Sequence, residues 1–281
     1  MQNNIKNNKD ILKIDIKEII KEKNPKLFKI IPSFIINRIK KIIHQDLLND
    51  IITNSYNLPP EQFAKYCLDY FGINVIIKGE ENLPKNNKKL VFVANHPLGG
   101  LDGIAFVETV SKIYGEVRFP VNDLLLNVPA FKKIFIPINK HGKQSREAII
   151  AIDNAFKSEK PILYFPAGLC SRKINNEIID LDWKKSFLTQ SIKHKRDIIP
   201  VFIEGKNSNF FYNLANLRKF IGLKFNIEML FLVDEMVKQN KKKLIITFGK
   251  PIPCETFNKD KSINDWVNFI RNKTYELENK L

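Results

Sequence analysis

Leu90-Val-Phe-Val-Ala-Asn-His-Pro-Leu-Gly-Gly-Leu-Asp-Gly103 is the most informative stretch of this chain. Its first five residues are all apolar and read as a strand covered on both faces. A polar turn containing Pro97, Gly99 and Gly100 follows, and a helix is expected from about Gly103. Strand, turn and helix in that order make an α/β unit. Sites in open α/β sheets form outside the carboxyl ends of strands. His96 stands at such an end, and Asp102 stands where the next helix starts.

The same alternation extends outward from this segment. Strands are expected at Val75–Ile77, Leu90–Ala94, Val117–Val121, Ile134–Ile138, Ile162–Phe165, Ile198–Ile203 and Leu244–Phe248. Helices are expected at Gly103–Tyr114, Asp123–Lys132, Ser145–Lys157, Lys184–His194, Phe210–Phe220, Ile227–Gln239 and Ile263–Leu277. Strands separated by helices of this length predict an α/β fold, with a largely parallel central sheet flanked by helices.

The residues before this region differ in character. From about Ile11 to Asp69 the pattern is helical, so an N-terminal helical segment (1–69) is expected ahead of the α/β domain (70–281). Between Lys26 and Ile52, apolar residues such as Leu27, Ile30, Phe34, Ile35, Ile39 and Ile42 recur at helical spacing. Lys29, Arg38, Lys40 and Lys41 lie among them, and Pro32 is expected to kink or divide the stretch. A basic amphipathic helix of this kind either packs on a core with a solvated face or lies in a lipid interface.

Composition narrows the function. With 281 residues, 44% of them hydrophobic, the chain can bury a large core. A net charge of +16 favours an acidic partner, whether phospholipid headgroups, nucleic acid or an acidic carrier protein. The three cysteines, Cys67, Cys170 and Cys254, are far apart and form no C-x-x-C pair. That argues against a disulfide framework or a zinc site and for a reducing compartment. Charged residues run through the first 26 positions, unlike a signal peptide. The longest charge-free stretch, Leu90 to Leu101, falls short of the ~18 apolar residues a membrane span needs. Membrane contact is therefore expected to be peripheral, on the inner face of the cell membrane from a cytoplasmic location.

The His96 segment has a chemical and a structural reading. A carboxylate that accepts from one imidazole nitrogen leaves the other free to take a proton from an alcohol. Gly99 and Gly100 let the loop turn back so that His96 and Asp102 can meet, and their N–H groups could face a developing oxyanion. On the structural reading, Asp102 is only a helix cap and the rest is ordinary turn chemistry.

The segment resembles the His–Asp signature of the glycerolipid acyltransferase superfamily, whose members acylate lysophosphatidic acid and related lysolipids. That family usually has four residues between His and Asp. Here there are five, Pro97 to Leu101, which is similar to the hemolysin-like and aminolipid acyltransferase subgroup with its Asn-His-Pro-x-Gly-Gly loop. Three further blocks follow in the family's order: Phe135-Ile-Pro-Ile-Asn139, Phe165-Pro-Ala-Gly-Leu-Cys-Ser-Arg172 and Ile199-Pro-Val-Phe-Ile203. In the second of these, Ala167 stands where the family usually has Glu, so no carboxylate role carries over there.

The resemblance implies that His96 is a general base oriented by Asp102. It implies acyl transfer from acyl-carrier protein (acyl-ACP) or coenzyme A (acyl-CoA) to the hydroxyl of a lysolipid, such as a 1-acylglycerol phosphate or a lyso-aminolipid. No bound cofactor, no metal and no nucleic acid are expected. Asn95, Gly99, Gly100, Gly168, Ser171, Arg172 and Lys173 are the candidate substrate contacts, the last three for an acidic headgroup or carrier phosphate. Cys170 reads as a structural thiol. His44 and His141 receive no firm role, and His194 reads as part of a basic helix end. The apolar face of the N-terminal helices and the Phe210-Phe-Tyr212 segment are candidates for lipid contact.

Three other readings stay open on sequence. A lipid-binding protein without activity would share the surface features. A nucleic-acid-binding protein would fit the charge, although Lys is scattered rather than clustered. A nucleotide-binding enzyme would need a G-x-G-x-x-G or Gly-Lys-Ser/Thr signature, which the glycine turn lacks.

Overall fold

A computed structural model of the chain describes residues 13–86, 89–122, 128–138, 145–223 and 225–278. Five helices come first: α1 (Ile16–Lys23), α2 (Pro25–Ile30), α3 (Ser33–Ile42), α4 (Gln45–Ser55) and α5 (Pro60–Tyr70). The break expected at Pro32 falls between α2 and α3. A second break occurs at His44, which adopts a left-handed conformation (φ 50°) and separates α3 from α4. Pro60 opens α5 at its first position, where its missing N–H has no intrahelical partner to lose.

The α/β elements follow as β1 (Asn74–Lys78), β2 (Leu90–Ala94), α6 (Gly100–Tyr114), β3 (Phe119–Asn122), β4 (Phe135–Ile138), α7 (Arg146–Lys157), β5 (Ile162–Tyr164), β6 (Arg172–Ile174), β7 (Glu177–Ile179), α8 (Ser186–Lys193), β8 (Asp197–Ile203), α9 (Asn209–Phe220), α10 (Leu232–Val237), β9 (Lys243–Phe248) and α11 (Ile263–Tyr275). The main sheet has the order β1-β9-β8-β2-β5. Strand β2 runs parallel to both β8 and β5, and β1 runs parallel to β9. Only the β8–β9 pairing is antiparallel. The parallel pair β3–β4 continues the sheet beyond β5 through a bridge between Arg118 and Ile162.

Both faces of the sheet are covered, which is why β2 has no polar residue. Leu90, Phe92 and Ala94 point into a core shared with α5 and α6. Val91 and Val93 point the other way, toward Phe156 of α7, Phe187 of α8 and Val267 and Ile270 of α11. Ile51 of α4 and Phe63, Ala64, Cys67 and Leu68 of α5 belong to the first of these cores. The helical segment and the α/β elements therefore meet across common packing.

Arg196, two residues beyond His194 in the Lys193-His-Lys-Arg196 run read as a basic helix end, is fully buried. Its guanidinium donates to the carbonyls of Ala155, Phe156, Ser158, Lys160 and Leu90, tying the end of α7 to the start of β2. Burial lowers its pKa to about 10.

Three elements differ from the sequence expectation. The helix expected over Asp123–Lys132 lies partly outside the described residues, and within them Pro129–Phe131 is a single 3-10 turn. The helix expected over Ile227–Gln239 is a 3-10 turn, Ile227–Phe231, followed by α10. The tighter turn carries Glu228 into the interior, where two arginines meet it. The β6–β7 hairpin was not anticipated. Asn175 and Asn176 form its turn with positive φ values of 50° and 68°, a conformation that Asn tolerates better than most residues.

Candidate active site

Strand β2 delivers Asn95 and His96 to the carboxyl end of the parallel strands. Asn95 is buried, and both of its polar side-chain atoms bond the backbone of Ile203 at the end of β8, at 2.9 and 2.7 Å. The sequence placed Asn95 among the substrate contacts; its amide is instead a tie between two strand ends. The chain then reverses at Gly99, with φ 86° and ψ −119°. A Cβ there would come within 2.9 Å of Leu232 Cδ2. Both the backbone angle and the close packing require glycine.

Helix α6 starts at Gly100, three residues earlier than expected, so Asp102 is the third residue of its first turn, where its side chain accepts the N–H of the N-cap residue Gly99. Asp102 is fully buried. Its Oδ2 accepts from Leu98 N–H at 2.7 Å and Gly99 N–H at 2.9 Å, and lies 2.9 Å from His96 Nδ1. One Asp102 oxygen therefore both closes the loop and lies against the imidazole. Gly99 N–H is engaged by this carboxylate and is not free to meet an oxyanion. Gly100 N–H, at the exposed first position of α6, makes no hydrogen bond among the described residues.

A buried carboxylate facing Nδ1 assigns the proton to that nitrogen and leaves the Nε2 lone pair available. The His96 side chain is 17% exposed while Asp102 is 0% exposed, so the ring keeps partial contact with solvent and its carboxylate partner has none. Phe165 stacks on the imidazole with ring centroids 4.0 Å apart and planes 16° from parallel. Hydrogen bond and stack together fix both tilt and rotation of the ring.

The segment after β5 packs beside this loop. Ser171 N–H donates to the His96 carbonyl at 2.7 Å. Ser171 Oγ donates to Asp180 Oδ1 at 2.6 Å, and the same oxygen accepts the His96 N–H at 3.1 Å. Trp183 Nε1 donates to Asp180 Oδ2 at 2.9 Å. Burial pushes the Asp180 carboxyl upward, opposed by the Ser171 and Trp183 hydrogen bonds and by His96. Asp180 has no local sequence signal. It lies 84 residues from His96, and only the unforeseen hairpin brings it there.

Ser171 and Arg172 were expected to face an acidic headgroup. Both are buried. Arg172 donates to Glu228 Oε1 at 2.9 Å and to the Cys170 carbonyl at 2.6 Å. Arg218 Nε lies 3.0 Å from Glu228 Oε2 as an ion pair without hydrogen-bond alignment. A fully buried Glu228 needs both cations, so the Arg172 fork turns inward. Lys173 is half-buried on β6, and Gly168 sits in an exposed turn with φ 68°. The Lys184 amine lies about 4.0 Å from the place a Gly168 side chain would take, which adds a cation at this rim that the sequence reading missed.

None of the remaining candidates bonds the His96 side chain among the described residues. Cys170 is fully buried, and burial, its largest influence, pushes its thiol to about 11. A thiol so disfavoured as thiolate fits a structural role. His44 Nε2 lies 3.0 Å from Asp234 Oδ1, joining the N-terminal helices to α10, and His194 Nε2 lies 2.9 Å from Asp153 Oδ1. His141 and Asn139 lie outside the described residues. Phe211 and Tyr212, candidates for lipid contact, are fully buried; only Phe210 is exposed. Asp197, Cys254 and Glu255 bring three possible ligand atoms close together. Asp197 opens β8 opposite Leu90, at the far end of the sheet from His96.

A family model described as Acyltransferase matches residues 18–281. The chain belongs to the acyltransferase family. Two relatives named lyso-glycine lipid O-acyltransferase are similar to this acyltransferase over nearly the whole chain. One, from Phocaeicola vulgatus, is 48% identical over 268 residues, covering 95% of this chain and 96% of the relative. The other, from Bacteroides thetaiotaomicron, is 44% identical over 265 residues, covering 94% and 97%. A solved structure, the 1-acyl-sn-glycerophosphate acyltransferase PlsC from Thermotoga maritima, aligns with a TM-score of 0.45 and 18% identity, covering 87% of this acyltransferase and 92% of that chain.

Proposed function

We propose that this acyltransferase moves a fatty acyl group from a thioester donor, acyl-carrier protein or coenzyme A, to the hydroxyl of a lyso-glycine lipid, with His96 as general base. The acceptor rests on the two relatives of that name. The mechanism rests on one observation: His96 Nδ1 is held by a fully buried carboxylate while the His96 side chain itself remains partly exposed.

In this mechanism Nε2 of His96 takes the acceptor's hydroxyl proton as the oxygen attacks the thioester carbonyl. Asp102 stabilises the imidazolium that forms. The tetrahedral oxyanion collapses, the C–S bond breaks, and the imidazolium returns its proton to the sulfur. The products are an ester and a free thiol. A thiol of pKa roughly 8.5 leaves with little acid assistance. General-base catalysis of this type contributes about 10²–10⁴-fold. The Gly100 N–H is the candidate oxyanion donor, at a helix N-terminus where the dipole favours negative charge.

The lipid acceptor calls for a membrane surface, and the exposed apolar residues support one. Phe220, Phe34 and Phe225 are 88%, 72% and 63% exposed, with Ile30 and Ile221 also outside. At about 200 Å² per aromatic side chain the three phenylalanines alone present about 450 Å², comparable to the largest apolar patch of a typical monomer, about 300–600 Å² and often functional. Helices α3 and α9, which carry or adjoin them, both pack on the 227–231 turn. The residue after that turn, Leu232, abuts Gly99 in the His96 loop. Lys26 and Lys29 on α2, which carries Ile30, and Lys219 on α9 are exposed and favour anionic lipid. No helix among the described residues is long and apolar enough to cross a membrane.

The test is a labelled acyl-transfer assay with purified protein, offering acyl-ACP or acyl-CoA against lyso-glycine lipid, other lyso-aminolipids and 1-acylglycerol phosphate. Transfer strongest to the lyso-glycine lipid is expected. Transfer to 1-acylglycerol phosphate alone would move the acceptor assignment, and transfer to none would favour a binding protein.

A further inference from the structure

We propose that Asp180 is a positioning residue for His96, holding the base by its backbone while Asp102 holds it by its ring. This rests on reading His96 as the base. His96 is gripped at both main-chain atoms: its N–H donates to Asp180 Oδ1 at 3.1 Å, and its C=O accepts from Ser171 N–H at 2.7 Å. Ser171 is bound in turn to the same Asp180 oxygen at 2.6 Å. The result is a closed ring of three hydrogen bonds joining the ends of β2 and β5, which carry the imidazole and the Phe165 ring stacked on it. Release of that ring would let the 95–96 peptide turn and carry the imidazole off its line between Asp102 and Phe165. A displacement of 1 Å at a reacting group costs about 10²-fold in rate.

Asp180 also carries charge. Three donors converge on its carboxylate, from His96, Ser171 and Trp183, the pattern of an ionised group. From α11, Tyr275 Oη accepts the Asp180 N–H at 3.0 Å and Arg271 reaches the Asp180 carbonyl at 3.5 Å. Asp102 is the other carboxylate facing His96, from α6. When His96 takes a proton, it does so near two carboxylates.

Hydrogen-bond geometry and charge separate experimentally. Asp180→Ala removes both. Asp180→Asn keeps an acceptor for His96 and Ser171 but turns its amide toward the Trp183 N–H, so it is paired with Trp183→Phe to remove that opposing donor. Each variant, with Trp183→Phe alone as control, is assayed for acyl transfer after melting confirms the fold. For Asp180→Ala the expected result is a fall in kcat of about 10²-fold with KM for both substrates unchanged. The double variant should recover most of kcat, with the acid limb of its pH profile moved to lower pH.

The same shift should be visible without turnover. The chain has four histidines, and comparison with His96→Ala identifies the His96 ring signal by NMR. That signal alone should titrate at lower pH in the double variant than in Trp183→Phe. Wild-type kcat in folded Asp180→Ala, or an unmoved His96 titration, overturns the inference; if Asp180→Ala does not fold, the NMR titration decides. Full activity in His96→Ala would instead remove the base reading, and the NMR result would still report whether Asp180 acts on His96.

Discussion

Asp102 Oδ2 lies 2.9 Å from His96 Nδ1 and accepts the N–H groups of Leu98 and Gly99 with the same oxygen. One atom therefore serves loop closure and ring orientation, and the two uses can be separated. Asp102→Asn keeps a carbonyl oxygen for the loop but removes the counter-charge to the imidazolium. It should melt near wild type while kcat falls by about 10²-fold or more. Asp102→Ala leaves the Leu98 and Gly99 donors unsatisfied and should also lose stability, about 1–3 kcal/mol for each buried group. Thermal melts and steady-state kinetics on the two variants check both statements.

Arg172 distinguishes an internal role from headgroup binding. Its removal leaves Glu228 fully buried with only Arg218 as a counter-ion. Arg172→Met should therefore cost about 3–5 kcal/mol in denaturant unfolding, and Arg172→Met with Glu228→Gln should cost less. A raised KM for the lipid with unchanged stability would mark Arg172 as a substrate contact instead.

The apolar patch near α9 predicts membrane affinity separable from chemistry. Burying a Phe side chain is worth about 1.5–3 kcal/mol, so Phe220→Ser with Phe225→Ser should weaken binding to anionic vesicles by tenfold or more. Activity on dispersed, short-chain acceptor should persist. Vesicle co-sedimentation at two salt concentrations measures the effect, and unchanged binding would place the lipid surface elsewhere.

Acid should loosen the junction between α3–α4 and α10. Burial alone would raise the Asp234 carboxyl, but hydrogen bonds from Lys238 and His44 outweigh it and hold the group below its ordinary 3.8. A carboxylate depressed in the folded state stabilises fully above its unfolded pKa and loses that contribution as pH falls through the folded value. The expected window therefore lies below about pH 4. Asp234 is a third exposed, so solvent screening limits the contribution to about 0.5 kcal/mol. Melting temperatures against pH for wild type and Asp234→Asn should converge as pH drops below this window.

The parts of the fold read from sequence were those with local causes. Strand β2 is legible because both faces are buried and every residue is apolar. The break at Pro32 follows from a missing N–H, and the His96–Asp102 approach follows from two glycines in a short loop. What escaped depends on distance along the chain. Asp180 follows a hairpin whose Asn175-Asn176 turn signal was available, but nothing local ties it to a histidine 84 residues away. Arg172 looked like an anion binder because its buried partner, Glu228, stands 56 residues further on. Asn95 looked like a site residue for the same reason: its partner Ile203 belongs to another strand.

The most direct measurement is single-turnover acyl transfer to lyso-glycine lipid by wild type and His96→Ala, with melting and vesicle binding recorded on the same preparations. Removal of the base should slow transfer by about 10²–10⁴-fold while melting and vesicle binding stay near wild type. Transfer by His96→Ala within a few-fold of wild type would contradict the account.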